Sequence, residues 1–249
     1  MPTQEEFQDA IFIGLQNACE DAFHFTGEIN SKIKPEYIVT VNVAKGLFSL
    51  NNGQSGYGYE FTIKFEEDTS TFATACVPQM AAEDIFSMKL RGFQNTTRNG
   101  KIDICIYDQS GEKPICPIEV KDFNSSTSEI LKDLERNLQL LELVDSSTGN
   151  STLKFAFLAT LEEHKNCLTE KNIEKGLSDI KKKYIKRLKP FLDKLKNYEL
   201  IITTKTVAKN LVDIETSFSG MDDMDIAERV AETYHYVGVI MTLNKNSSS

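Results

Sequence analysis

The spacing of apolar side chains predicts helices in the first part of the chain. Residues 4–23 repeat apolar side chains at helical intervals, and Thr3 with Glu6 forms the capping pair that begins such a helix. Residues 35–48 fit a strand by their alternation and a helix by their wider spacing, and Pro35 at a first helical position favours the helix. We therefore predict two helices before the first strand.

A change to alternating apolar and polar side chains predicts strands in the middle of the chain. Residues 59–66 alternate clearly, and residues 71–77 are expected to form a further strand. Residues 102–107 and 115–121 also alternate, and the segment 109–114 between them contains the Gly and Pro that are typical of a turn. We therefore expect these last two strands to form a hairpin.

The second half of the chain predicts a strand–helix–strand unit followed by more of the sheet. Ser126 with Glu129 forms a second capping pair, which begins an amphipathic helix that ends near residues 145–149. Residues 153–160 are apolar on both faces, as in a central parallel strand. A strand, a helix and a buried strand in this order form a right-handed crossover. The other predicted elements are helices at 81–90, 170–196 and 223–232 and strands at 200–207 and 234–243.

Together these elements predict an α/β protein with a central mixed β-sheet flanked by helices. A chain of 249 residues can bury a large core, and we expect one domain over residues 1–249. Its core covers about residues 35–160. The helix at 4–23 precedes this core, and a C-terminal extension of helix and strand, residues 168–243, follows it.

Composition narrows the class of protein. Hydrophobic residues make up 40% and charged residues 26%, as in an ordinary globular protein. No apolar run approaches the roughly 18 residues of a membrane span, and the N-terminus shows no signal peptide. Five cysteines without a CxxC pair favour reduced thiols and a cytoplasmic location. The net charge of −9 argues against a large nonspecific nucleic-acid surface, although lysines are concentrated in residues 171–196.

Two acids and a lysine lie on the predicted hairpin. Asp103 belongs to its first strand, and Glu119 and Lys121 share one face of its second strand. Carboxylates on neighbouring strands can hold a hard divalent cation, which polarises a phosphate and acidifies a bound water. A lysine beside them can orient or deprotonate that water and offset charge on the phosphate. The hairpin therefore predicts a metal and lysine site.

This arrangement resembles the PD-(D/E)XK nuclease superfamily, whose signature is an acid, a spacer, and then an acid, an apolar residue and a lysine. Asp103 and the run Glu119-Val120-Lys121 match that signature, while Ile102 stands where the signature has proline. The helix and the buried strand that follow Lys121 also resemble the core of that superfamily. The resemblance covers roughly residues 35–160.

The resemblance implies a restriction-endonuclease-like core and a metal-dependent nuclease that hydrolyses phosphodiester bonds, with DNA as the expected substrate. Asp103, Glu119 and the Val120 carbonyl are then the expected ligands of Mg²⁺ or Mn²⁺. Lys121 is expected to position the attacking water. Glu36, in the first turn of the first core helix, is the expected further acid. Such nucleases often act as homodimers, and a larger defence or phage-encoded complex is the other expected assembly.

Several alternatives stay open at this point. Charged side chains on strands are often solvated pairs at the surface, and a glutamate in a first helical turn often only complements the helix dipole. Glu60 is a substitute for Glu36, and Arg136 or Gln139 can face the site or the solvent. The lysines of residues 171–196 form a solvated face or a nucleic-acid contact. The rival functions are a noncatalytic nucleic-acid-binding module and a protein-assembly subunit, each of which would retain the nuclease fold.

Overall fold

One mixed six-stranded sheet organises the part of the chain that the computed structural model describes. That part comprises residues 1–26, 35–51, 58–77, 100–143, 153–164, 169–211, 224–225 and 233–246. Adjacent strands are antiparallel except for β3 and β4, which are parallel. The order across the sheet is β1-β2-β3-β4-β6-β5. The strands are β1 Phe61–Asp68, β2 Lys101–Asp108, β3 Pro114–Phe123, β4 Phe155–Glu163, β5 Tyr198–Asn210 and β6 Tyr234–Lys245.

Helices cover both faces of this sheet. One buried cluster joins the sheet to α1 and α2, and a second joins its other face to α3, α4 and α5. The predicted α/β class, with a central mixed sheet flanked by helices, is therefore confirmed. The helices are α1 Gln4–Thr26, α2 Pro35–Asn51, α3 Thr69–Cys76, α4 Thr127–Glu142 and α5 Ile173–Leu192, with a turn of 3₁₀ helix at Glu170–Asn172.

The predicted hairpin is formed by β2 and β3, and its polar residues share one face of the sheet. Val120 of β3 packs with α1 and α2, so Glu119 and Lys121 lie on the opposite face, which α3 to α5 cover. Cys105 of β2 packs in the cluster of α3 to α5. Asp103, two residues before it, shares that face. The sheet therefore presents all three polar side chains to one helical layer.

The strand–helix–strand unit is also present, because α4 connects β3 to its parallel neighbour β4. Its capping pair is formed as predicted: Ser126 Oγ accepts a hydrogen bond from the Glu129 N–H, and the Glu129 carboxylate accepts one from the Ser126 N–H. The pair at the start of α1 is formed in the same way by Thr3 and Glu6. These caps satisfy backbone donors that a helix start leaves free.

Helix α1 packs closely on the second half of α2. A Cβ added at Gly14 would collide with the backbone of Val43, and one added at Gly46 would collide with the carbonyl oxygen of Ala10. Glycine at both positions lets the two helix backbones approach each other closely. This contact fixes the position of α2, the helix that carries Glu36 in its first turn.

One predicted strand is wrong, because residues 71–77 form most of α3 instead. Thr69, Phe72, Ala73 and Cys76 of this helix are buried at helical intervals against β1, β2 and β3. A short apolar run fits either period, and here tertiary packing selects the helix. The sequence pattern alone was insufficient at this point.

The remaining expectations are met in part. The strands predicted at 200–207 and 234–243 are β5 and β6, at the other side of β4. The helix predicted at 170–196 is α5, which contains Pro190 in its last turn and ends at Leu192. The predicted helix at 81–90, the helix end at 145–149 and most of the predicted helix at 223–232 lie outside the described residues.

Two observations concern the chemistry of the chain as a whole. Within the described ranges, no helix is both long enough and apolar enough to cross a membrane. Four cysteines, Cys19, Cys76, Cys105 and Cys116, are buried free thiols, and Cys167 lies outside the described residues.

Candidate metal and lysine site

The pairing of β2 with β3 brings the two acids of the hairpin side by side. Ile104 lies opposite Ile118 in this antiparallel pair, and the register therefore places Asp103 next to Glu119. Asp103 Oδ2 accepts a hydrogen bond of 2.8 Å from the Val120 N–H. Both acids line a cleft of about 490 Å³, together with Lys121, Glu36, Asp122, Asp133 and Arg136. The four residues predicted as catalytic thus share one cleft.

Glu119 is the most unusual group of the cleft. Its side chain is only 1% exposed, and neither carboxylate oxygen has a hydrogen-bond partner among the described residues. Arg136 Nη2 lies 2.5 Å from Glu119 Oε1, which makes an ion pair, but the approach lacks the direction of a hydrogen bond. Burial raises the pKa of Glu119 to about 8, because it outweighs the opposing charge of Arg136. Glu119 is therefore not a solvated surface charge.

Lys121 lies between carboxylates of two different helices. Its Nζ is 3.1 Å from Asp133 Oδ2 on α4 and 3.3 Å from Glu36 Oε1 on α2. Burial lowers the pKa of Lys121, but the carboxylates of Asp133, Asp103 and Glu36 outweigh this effect and raise the pKa above its usual value. Lys121 consequently remains a cation near neutral pH, so it can donate hydrogen bonds but cannot accept a proton.

Glu36 and Asp103 complete the acidic side of the cleft. Glu36 is half-exposed, and its ion pair with Lys121 connects the first turn of α2 to the end of β3. Burial raises the pKa of both Glu36 and Asp103 above the usual range of a carboxyl group. Glu60, the substitute for Glu36, is an exposed residue that precedes β1. The structure thus places Glu36, and not Glu60, beside the hairpin residues.

Helix α4 supplies two residues that the sequence analysis did not place correctly. Arg136 was expected to face either the site or the solvent, and Asp133 was not among the predicted site residues, but both are nearly buried and line the cleft. Arg136 Nη2 lies 2.9 Å from Asp133 Oδ1 and also contacts Glu119. A signal was present, since Asp133 follows the buried Ile130 by three residues on the apolar stripe of α4.

The connection between β3 and α4 is held in place from both sides. The Asp122 carbonyl accepts hydrogen bonds from Thr160 Oγ1 at 2.9 Å and from Ser125 Oγ at 3.1 Å. Arg187 of α5 donates to the Ser125 carbonyl and to Thr127 Oγ1, each at 2.8 Å. These contacts fix the start of α4 and therefore the positions of the α4 side chains in the cleft.

The residues fit a divalent cation by charge and by ligand type. Among the described residues, six carboxylates line the cleft against three cations, namely Glu36, Asp103, Glu119, Asp122, Glu129 and Asp133 against Lys101, Lys121 and Arg136. Mg²⁺ often takes only one or two protein carboxylates and completes its shell with water and phosphate. The buried, unsatisfied oxygens of Glu119 are suited to such a ligand.

Two features of the cleft restrict how its residues could hold a divalent cation. Within the described ranges, no three His, Cys, Asp or Glu side chains are arranged to hold a metal ion by themselves. An ion held by Asp103 and Glu119 would therefore depend on water or substrate oxygens and would have to compete with Arg136. Val120 follows Glu119 in β3, and its N–H donates a hydrogen bond to Asp103. Its carbonyl as a further ligand stays a prediction.

No known family model, curated protein or solved structure matches this chain. The resemblance to the PD-(D/E)XK superfamily therefore rests on the residues of the hairpin and on the geometry of the cleft.

Proposed function

We propose that this protein is a metal-dependent nuclease that hydrolyses phosphodiester bonds, with DNA as its substrate and with a site of the PD-(D/E)XK type. The observation that carries the proposal is Glu119, a buried carboxylate without a hydrogen-bond partner among the described residues, beside Asp103 and Lys121 in an open cleft. Buried ionisable groups with strongly shifted pKa values are concentrated at functional sites. The restriction-endonuclease-like core is part of the same proposal.

Each residue of the cleft has a role in this proposal. Asp103 and Glu119 hold Mg²⁺ or Mn²⁺, which when bound polarises the phosphate and acidifies a water. Lys121 remains a cation, so it orients the attacking water and offsets negative charge that develops on the phosphate. Asp133 and Glu36 hold the Lys121 ammonium from two sides. The role of Lys121 is therefore electrostatic and does not include removal of a proton.

The ion pair between Arg136 and Glu119 favours a second candidate, which is a nucleic-acid-binding module that has the fold without cleavage. In that case the guanidinium of Arg136 occupies the position of the metal permanently. The two candidates differ in two measurable properties, because only the nuclease binds a divalent cation through Asp103 and Glu119 and only the nuclease cleaves its substrate.

Metal binding and cleavage should be measured on the same preparations. We expect Mn²⁺ titrated by calorimetry to bind the wild type and not the Asp103→Ala variant, and we expect metal-dependent cleavage of a panel of DNA and RNA substrates by the wild type alone. Asp9→Ala, which removes an exposed aspartate of α1, is the matched control and should bind and cut like the wild type. Binding of Mn²⁺ by Asp103→Ala as tightly as by the wild type would refute the assigned site.

A further inference from the structure

Three exposed aromatic rings line a groove between α2 and β1. Tyr37 is 72% exposed, Phe65 is 52% exposed and Phe48 is 50% exposed. Tyr37 and Phe48 belong to α2, and Phe65 belongs to β1, the strand at the edge of the sheet. A contiguous group of exposed apolar side chains often marks a binding surface. We call these three residues and the space between them the aromatic groove.

The aromatic groove is continuous with the cleft that holds the candidate metal site. Its first part has a volume of about 1150 Å³, and Tyr37 and Phe65 line it together with Glu36 and Asp103 of the site. Its second part has a volume of about 620 Å³ and again includes Phe65, now with Phe48. A ligand strand that lies in the groove would therefore reach Glu36 and Asp103.

The length and the lining of the groove can be read from α2. Tyr37, Val41, Lys45 and Phe48 follow one another at intervals of four, four and three residues, so they form one stripe on the helix. The distance along α2 from Tyr37 to Phe48 is about 16 Å, which equals about five stacked bases. Lys45 lines the second part of the groove, and Lys101 lines the first part. Both lysines are paired with nearby acids, and the first part of the groove carries more carboxylates than lysines. The rings are therefore the feature of the groove that can hold a ligand.

We propose that the aromatic groove binds an unpaired strand of nucleic acid, whose bases stack on Tyr37, Phe65 and Phe48 and whose backbone leads into the cleft. This inference rests on the proposed nuclease function and assigns single-stranded nucleic acid as the substrate class. Stacking on aromatic rings binds every base without regard to sequence. The chain carries a net charge of −9, so we expect the rings, rather than contacts with phosphates, to supply most of the affinity. A duplex offers few free base faces and would not use these rings.

Binding is measured without a metal, so that the result is independent of cleavage. The probe is a fluorescein-labelled oligothymidylate of about twelve nucleotides, within the site sizes known for such grooves, and the readout is fluorescence anisotropy in EDTA at low salt. We expect Tyr37→Ala and Phe65→Ala each to weaken binding by about tenfold. Tyr37→Phe keeps the ring and should bind like the wild type, whereas Tyr37→Leu keeps only apolar area and should bind as weakly as Tyr37→Ala.

Phe25→Ala is the matched control, because Phe25 of α1 is 71% exposed and does not line the groove. This variant should bind like the wild type. Wild-type affinity in Tyr37→Leu would overturn the proposal, since it would show that apolar area is sufficient and that the oligothymidylate does not stack on the ring. Equal affinity for a duplex of the same length would overturn it as well. A change of oligomeric state in Tyr37→Ala, measured by sedimentation, would assign the groove to a second copy of the chain and also overturn it.

The outcomes separate the groove from the nuclease site. Ring-dependent binding in EDTA without metal-dependent cleavage would support the proposal that the groove binds single strands and would contradict the proposed nuclease function. Metal-dependent cleavage with unchanged binding in Tyr37→Ala and Phe65→Ala would support the nuclease and contradict the groove. Both proposals hold only if the oligothymidylate is bound through the rings and single strands are cut in the presence of metal.

Discussion

Glu119 and Glu162 are buried glutamates on the neighbouring parallel strands β3 and β4, and their surroundings differ. Glu162 is 0% exposed and has a donor for each carboxylate oxygen: Tyr184 Oη lies 2.8 Å from Oε1, and Lys183 Nζ lies 2.7 Å from Oε2. Glu119 is equally buried, yet it has one cation, Arg136, and no hydrogen-bond partner within the described part of the chain. One carboxylate is satisfied by the fold, and the other is not.

Under the proposed function, this difference separates a structural glutamate from a functional one. A buried carboxyl group without hydrogen bonds lowers the stability of the fold, so its presence calls for an explanation such as a bound ligand. Glu162 connects α5 to the end of β4 and thereby supports the loop that begins α4. Glu119 faces the cleft, where a ligand can complete its coordination. Burial and residue type are the same in both cases, and only the donors distinguish them.

The largest expected effect is on the rate of cleavage, which should depend on Glu119 and not on Glu162. Glu119→Gln should lower the rate of metal-dependent cleavage by about a thousandfold, because it removes one of two carboxylates that hold the cation. Glu162→Gln should leave the rate per folded molecule within about threefold of the wild type, since Glu162 does not line the cleft. The rates are compared at saturating Mn²⁺. Similar rates in the two variants would mean that the satisfied and unsatisfied glutamates do not differ in function.

The next largest effect is on the free energy of unfolding, which should depend more on Glu162 than on Glu119. Glu162→Gln should lower the free energy of unfolding by about 3 kcal/mol, because it leaves Lys183 and Arg187 without their buried partner. Tyr184→Phe, which removes a single donor, should cost about 1 kcal/mol. Glu119→Gln should cost less than Glu162→Gln. Urea denaturation of the metal-free variants gives these values, and equal losses at the two glutamates would contradict the comparison.

A third prediction concerns the pH dependence of stability without metal. The pKa of Glu119 is about 8 in the folded protein, and the ordinary value for a glutamate is 4.5. Between these values the folded protein keeps a proton that the unfolded chain has released, so the free energy of unfolding falls as pH rises. This stabilising contribution is complete below about pH 4.5 and is lost as pH passes about 8.

Glu119→Gln should remove this part of the pH dependence. The stability of the variant relative to the wild type should therefore increase from about pH 5 to about pH 8. Asp103, whose pKa is also raised by burial, remains in both proteins, and because its charge acts on Glu119 the difference reports the two carboxyl groups as a coupled pair. Urea denaturation in EDTA at several pH values measures it. A constant difference across this range would show that Glu119 is ionised in the folded protein throughout.

Much of this fold could be predicted from local patterns. The hairpin, both capping pairs and the strand–helix–strand unit depend on residues that are close in sequence, and each was predicted near its observed position. Residues 71–77 were not, because their short apolar run has no local feature that distinguishes a strand from α3. The choice there is made by contacts with strands that come later in the chain.

The site was predictable in its acids and not in its surroundings. Asp103, Glu119 and Lys121 follow from alternation on two adjacent strands. The contacts with Asp133 and Arg136 depend on the rotation of α4, which distant packing through Arg187 determines. The charged character of Asp133 and Arg136 suggested solvent, although the spacing from Ile130 places Asp133 on the buried stripe. Spacing was a better guide than polarity.

The smallest effects concern the two carboxylates that hold Lys121. Asp133 is buried and also contacts Arg136, so Asp133→Asn should lower the cleavage rate by about tenfold to a hundredfold, as is usual for a residue that positions a catalytic group. Glu36 is half-exposed, and a pair of this kind is screened by water, so Glu36→Gln should lower the rate by less than about tenfold.

The dissociation constant for Mn²⁺ distinguishes the roles of the two residues. An unchanged constant in Glu36→Gln means that Glu36 acts only through Lys121, whereas a weakened constant means that Glu36 is a further metal ligand, as the resemblance implies. A larger loss of rate from Glu36→Gln than from Asp133→Asn would show that the burial of each carboxylate does not determine how much it contributes to the cleavage rate.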